Sequence, residues 1–222
     1  MRGMTIRRTS LSLPIGLPLA LALAAITAGP LHAQGAQPYR VEVWADALFD
    51  ADGKLERLDV PDAAQHPAAF VERVRRQLAS ARVPPVKDDA GAPASFQTGI
   101  WLNYLVTPGD QGGKVQLQGM KIAPRPLKVY AAAQPDSLPA DTPLSVKVRC
   151  DVGTDGRCGA VKVVETTGTS DTLRRWAVAS FKGWEFAPQR VGGRPVVSEA
   201  AAELVLNVAD DRPVDFRDPR RL

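Results

Sequence analysis

Apolar and polar residues alternate along two distant stretches of this chain. Val41, Val43, Ala45, Ala47 and Phe49 share one face of the first stretch; Leu144, Val146, Val148, Cys150 and Val152 share one face of the second. A period of two over this length predicts a half-buried strand. An offset of 103 superposes the two sets residue for residue, and it also places Asp52-Gly53 on Asp155-Gly156 and Lys54 on Arg157. Asp-Gly between apolar runs predicts a hairpin, because Gly accepts the positive φ that a tight turn requires. Returning strands follow, carrying Leu55, Leu58 and Val60 in the first copy and Cys158, Val161 and Val163 in the second.

The same offset places Phe70, Val74 and Leu78 on Leu173, Ala177 and Phe181. A spacing of four aligns each trio along one helical stripe that can cover a sheet face. Trp176 and Trp184 extend the second stripe. Val83-Pro84-Pro85 then meets Phe186-Ala187-Pro188, where proline stops a continuing helix. One residue fewer in the next loop changes the offset to 102. Gly91-Ala92-Pro93 meets Gly193-Arg194-Pro195, and Leu102, Tyr104 and Val106 meet Leu204, Leu206 and Val208 as a third strand.

The pattern predicts an α+β protein with two tandem β-β-α-β modules, residues 40–106 and 144–208, each an antiparallel sheet with one covering helix. Residues 107–143 are a Pro/Gly-rich join. Within it, Lys114 to Ile122 is a candidate extra strand until Gly119 breaks its phase, and Leu127 to Ala131 is a second. Residues 209–222 read as a charged tail.

Residues 1–33 have the layout of a secretory signal peptide. Arg2, Arg7 and Arg8 precede 18 uncharged residues, Leu11 to Ala28, and Leu31-His32-Ala33 offers a cleavage point. The alternative is a retained inner-membrane anchor facing the periplasm; against it, Pro14 and Pro18 interrupt a run at the short end for a spanning helix. Both readings export the remainder, so the expected location is the periplasm, with membrane association only if the leader is retained. The leader also explains the charge. The chain has 28 Lys plus Arg against 24 Asp plus Glu, and removing three leader arginines leaves 25 against 24. A net charge near +1 is no electrostatic footprint for nucleic acid, and none is expected as a partner.

Candidate chemistry is sparse. There is no Gly-rich phosphate loop, no Gly-x-Ser-x-Gly and no His-Glu-x-x-His. Beyond the leader the sole histidine is His66, read as a solvated loop residue beside Pro67. Two cysteines are too few for a four-thiolate zinc site. No enzyme activity, catalytic residue, cofactor or metal is expected. Cys150 and Cys158 lie on the two arms of one hairpin, and in an oxidising compartment they are a candidate disulfide, the alternative being two half-buried thiols. The link would contribute roughly 2–3 kcal/mol by closing a nine-residue loop. A strict two-residue Asp155-Gly156 loop sets Val161, not Cys158, opposite Cys150, so the disulfide demands a wider loop or a bulge. Arg73, Arg75, Arg76, Arg174 and Arg175 read as solvated helix faces, with Glu72 and Arg76 in the favourable i, i+4 order. Trp44 and Trp101 fall on the polar phase of their strands, either as exposed anchors or as cover for a second face.

The second copy resembles the C-terminal domain of the TonB family of periplasmic energy transducers. The resemblance rests on Val146-Lys147-Val148, the turn Asp155-Gly156-Arg157, the strand Val161 to Val164, Trp184-Glu185-Phe186-Ala187-Pro188, and Gly193-Arg194-Pro195-Val196 with the strand to Val208. It covers about 65 residues. The first copy looks like a divergent relative that keeps Asp52-Gly53 and Pro85 but lacks the aromatic pair. Only six residues, Gln34 to Tyr39, separate the leader from the first copy, a reach of about 20 Å against the family's long spacer. The resemblance implies a binding surface at the last strand, where a partner's extended segment adds to the sheet edge. The edges so marked are Ala201, Ala202, Glu203, Leu204, Val205, Leu206, Asn207 and Val208 in the second copy and Ile100 to Val106 in the first. The implied partner is a cell-envelope protein, with an outer-membrane transporter among the candidates and a role in TonB-dependent transport. The alternative is a structural envelope protein whose two edges pair with each other inside the chain.

Overall fold

The first strand, β1, runs from Tyr39 to Phe49, with strict alternation of buried and partly exposed residues from Val41 onward. The computed structural model describes residues 37–109, 113–139, 142–168 and 170–206. The leader, the charged tail, and Asn207 and Val208 of the expected edge lie outside the described residues. Among those described, the elements run β1, β2 (Leu55–Asp59), a single 3-10 turn (Ala63–Gln65), α1 (Ala68–Leu78), β3 (Val86–Lys87), β4 (Pro93–Ala94), β5 (Phe96–Thr107), β6 (Lys114–Ala123) and β7 (Pro126–Lys128). They continue with β8 (Leu144–Val152), β9 (Cys158–Thr166), α2 (Asp171–Lys182), β10 (Glu185–Phe186), β11 (Arg190–Val191), β12 (Arg194–Pro195) and β13 (Ser198–Leu206). The fold is mixed α+β with antiparallel strand pairing throughout these elements.

Both halves build the same local topology. In the first, β5 and β2 flank β1; in the second, β13 and β9 flank β8. The equivalence extends to single atoms. Asp50 N–H donates to the Lys54 carbonyl and Gly153 N–H to the Arg157 carbonyl, both at 2.9 Å. Val83 N–H donates to the Gly53 carbonyl at 2.9 Å, and Phe186 N–H to the Gly156 carbonyl at 2.8 Å. Gly53 and Gly156 have φ of 72° and 78°, as the Asp-Gly turns predicted. Neither has room for a Cβ: it would overlap the carbonyl oxygen of Val83 in one turn and of Phe186 in the other. The turn is therefore pinned from outside, by the chain leaving the helix.

Each half buries its own core. In the first, Val41, Val43, Ala45, Ala47 and Phe49 of β1 and Ile100, Leu102, Tyr104 and Val106 of β5 pack under Phe70, Val71, Val74 and Leu78 of α1. Phe70 meets Tyr104 edge to face at 5.2 Å. In the second, Val146, Val148, Cys150 and Val152 pack under Leu173, Trp176, Ala177 and Phe181. Ser170 starts α2 by accepting a hydrogen bond from Leu173 N–H at 3.3 Å. Burial of each large side chain contributes roughly 2–3 kcal/mol.

Trp184 is not on the helical stripe. The helix stops at Gly183, and Trp184 packs beyond it against Phe181 and Phe186, with ring centroids 5.0 and 6.0 Å apart. His66 is half-buried, with its ring 5.8 Å from Phe70, and is not a solvated loop residue. Glu72 pairs with Arg75 at 2.6 Å rather than with Arg76. Arg73 reaches across to the Val115 carbonyl at 2.7 Å and ties α1 to β6.

The join is built into both halves. β6 adds to β5, and β7 pairs with β10. Further on, Trp184 Nε1 donates to the Tyr130 carbonyl and Trp176 Nε1 to the Ala132 carbonyl, each at 2.9 Å, while Ala132 N–H donates to Ser180 Oγ at 3.0 Å. Leu138 completes the second core. The halves also interlock directly: β11 pairs with Phe96 and Gln97 of β5, and Gln189 Nε2 donates to Thr98 Oγ1 at 2.6 Å.

Candidate functional site

The backbone at the margins of the two sheets decides which expected binding edge is available. Chain direction can be read from single hydrogen bonds. Thr167 N–H donates to the Ser145 carbonyl at 2.9 Å, so Ser145 of β8 turns its backbone groups toward β9. Gly153, eight residues on, turns the same way toward Arg157. Backbone groups alternate sides along a strand. Val146, Val148, Cys150 and Val152 therefore turn toward β13, where their register partners are Leu204, Ala202, Ala200 and Ser198. The remaining residues of β13, Glu199, Ala201, Glu203 and Val205, aim their N–H and C=O groups at the opposite margin. No strand pairs with that margin among the described residues.

The side chains of this row face away from the helix-covered core. Glu199, Ala201, Glu203 and Val205 are exposed, whereas Ala200 and Leu204 are buried and Ala202 and Leu206 half-buried. Across the sheet, Lys147 donates to Glu165 at 2.7 Å, and Arg149 lies 3.8 Å from Glu199. The hydrogen bond that Lys147 donates to Glu165, with the charges of Glu165 and Glu203 behind it, raises the pKa of Lys147 above the ordinary lysine value. Glu203 lies opposite Lys147 in the ladder, but Lys147 gives its hydrogen bond to Glu165 on the other side.

The first half differs at this margin. Ile100 to Val106 is not an open edge: β5 lies between β1 and β6, with Gly99 opposite Ala123, Trp101 opposite Lys121 and Asn103 opposite Gly119. Nor do the final strands of the two halves pair with each other, because β5 takes β6 and β11 instead. The reason lies in the join. A short connection after β5 makes closure by a hairpin entropically cheap. Val115 and Leu117 then continue the apolar face beside Val106 and Tyr104. Gly119 does break the alternation, but as a bulge that leaves Gln118 outside the ladder, not as a strand end. Past the bulge, Gly99 allows a close crossing: Arg125 passes over it to hold Asp46 through bonds of 2.8 and 2.9 Å.

Trp44 and Trp101 face each other across β1 and β5 on the side away from α1. Both are half-buried, and Lys121 Nζ lies 5.4 Å from the Trp101 ring centre. They help cover a second sheet face. Cys150 and Cys158 form a disulfide with Cα atoms 5.6 Å apart. Cys150 is opposite Val161 and Cys158 opposite Val152, so one extra residue in β9 separates the two pairs. This bulge is what brings the two sulfurs together from positions that do not face each other. Among the described residues, no group of three or more His, Cys, Asp and Glu side chains is placed to hold a metal ion, and no helix is long and apolar enough to cross a membrane.

Neither the position of β6 nor the bulge in β9 was specified by the repeat pattern. The alternation of Val115 and Leu117 was the signal for the first. The mismatch between the Asp-Gly turn and the cysteine positions was the signal for the second. No family model, curated protein or solved structure matches this chain.

Proposed function

We propose that this is an exported protein of the cell envelope, made of two TonB C-terminal-like modules, whose second module takes up an extended segment of another protein by strand addition at β13. The observation that carries the reading is the contrast between equivalent margins. On β5 the outward-turned backbone row is filled by β6, while on β13 the equivalent row of Glu199, Ala201, Glu203 and Val205 has no strand hydrogen-bonded to it among the described residues. An unpaired row of donors and acceptors at a sheet margin is what β-augmentation uses. The disulfide supports an oxidising compartment, in keeping with a periplasmic location. The resemblance of residues 144–208 to the TonB C-terminal domain makes the terminal segment of an outer-membrane transporter the partner of choice and links the protein to TonB-dependent transport. In this reading the backbone does the work, and no reactive side chain is required.

Ala201→Pro tests it. Proline removes an N–H that points away from β8, so the β8–β13 ladder keeps its bonds. Loss of binding to transporter terminal peptides, with an unchanged circular dichroism spectrum, is the expected result. Undiminished binding by the folded variant refutes strand addition at β13.

A further inference from the structure

The strand that fills the first margin specifies what the second margin should accept. This step rests on the strand-addition reading above and gives it a direction, a register and a charge. By the offset of 102 that relates β5 to β13, Gly99, Trp101 and Asn103 correspond to Ala201, Glu203 and Val205. The correspondence is structural as well: Val41 pairs with Tyr104, and its equivalent Leu144 pairs with Leu206. In the first half the added strand runs antiparallel and sets Ala123 against Gly99, Lys121 against Trp101 and Gly119 against Asn103. Transferred to the second half, the same geometry sets a small residue against Ala201 and a long cationic residue against Glu203.

The local charges agree. The exposed side chains of the outward row are Glu199, Ala201, Glu203 and Val205, two carboxylates and no cation. The nearest cations are already engaged, Lys147 with Glu165 and Arg149 with Glu199. At the equivalent site in the first half, the incoming strand places Lys121 over an aromatic ring; here the ring is replaced by a carboxylate. On the opposite face the incoming strand would lie beside half-buried Ala202 and Leu206, which favours apolar residues at alternate positions.

We infer that β13 accepts an antiparallel, extended segment of a partner protein in which apolar residues alternate with polar ones and a Lys or Arg stands opposite Glu203. A second copy of this chain is the competing occupant, since two β13 margins can also meet antiparallel.

The test uses the full exported chain and a synthetic peptide with the sequence Lys114–Ala123, in which apolar and polar residues alternate on either side of the Gln118 bulge and which carries Lys121. A companion peptide carries Glu in place of Lys121. A spin label at one peptide end reports direction through broadening of the amide signals of β13. The Lys peptide is expected to bind antiparallel and roughly fivefold more tightly than the Glu peptide at low salt, the scale of a cross-strand charge pair. With Glu203→Lys the preference should invert, and in both chains it should shrink as salt is raised. Parallel binding, or a preference that Glu203→Lys leaves unchanged, overturns the inference. So does a concentration-dependent dimer that Ala201→Pro abolishes, because β13 is then occupied by its own copy. If neither peptide reaches β13 but transporter peptides still bind and are lost in Ala201→Pro, the inference fails while strand addition stands. If Ala201→Pro changes no binding at all, both fail.

Discussion

Gly53 and Gly156 offer a direct test of the claim that each hairpin turn is clamped by the chain leaving its helix. The perturbation is Gly→Ala at either position. Two costs add at each. A φ of 72° or 78° is left-handed, where a Cβ costs about 1–2 kcal/mol. The new methyl also overlaps the carbonyl oxygen of Val83 or of Phe186. Relieving that overlap pulls apart the Val83–Gly53 or Phe186–Gly156 hydrogen bond, with a loss of about 0.5–1.5 kcal/mol and some disturbed packing besides. The expected destabilisation is about 3 kcal/mol at each site, before any compensation in the unfolded chain. Gly91 and Gly193 are internal controls. Their φ values are 81° and 79°, but a Cβ added at either would have no atom within 4 Å, so only the left-handed cost of about 1 kcal/mol applies. Urea unfolding followed by tryptophan fluorescence reads the difference. With a slope of about 2 kcal/mol per M, Gly53→Ala should lower the midpoint by about 1.5 M and Gly91→Ala by about 0.5 M. Equal shifts in Gly53→Ala and Gly91→Ala would show that the turn is not held from outside, and the equivalence of the two halves would lose its strongest atomic detail.

Two further outcomes follow from the cores. Replacing both cysteines as Cys150→Ala/Cys158→Ala should cost about 2–3 kcal/mol in the same urea assay, and a dithiothreitol-treated parent chain should match the variant; an unshifted midpoint would mean that the bond adds nothing to the β8–β9 hairpin. Burial pushes the Tyr104 hydroxyl up to about 12, against a weaker opposing pull from Arg73, and the hydroxyl donates to Gln77 Oε1 at 3.1 Å. The fold thus favours the protonated phenol: its contribution is full below pH 10 and is lost as pH rises from 10 toward 12, by about 2–3 kcal/mol. Tyr104→Phe should flatten that alkaline decline in thermal midpoint, and an unchanged slope would assign the decline to other groups.

The chain's own pattern determined the local grammar of this protein. Alternation at Val41 to Phe49 and Leu144 to Val152 specified two strands, because a sheet with one covered face sorts side chains with a period of two. Asp-Gly specified the turns, and the four-residue spacing of Phe70, Val74 and Leu78, and of Leu173, Ala177 and Phe181, specified the helices and their buried faces. Those signals are local, and the repeat doubled them. The tertiary structure alone decided what happens at the sheet margins. An edge strand and a central strand have the same alternation, since side-chain pattern reports which face is buried and says nothing of which flank is paired. Whether Ile100 to Val106 stays open therefore depended on where Lys114 to Ala123 went, and that was settled by the packing of Val115 and Leu117 beside the first core and by the hold of Arg73 and Arg125 on the join. The disulfide followed the same rule: the residue spacing posed the mismatch, and one bulged residue in β9 resolved it in three dimensions.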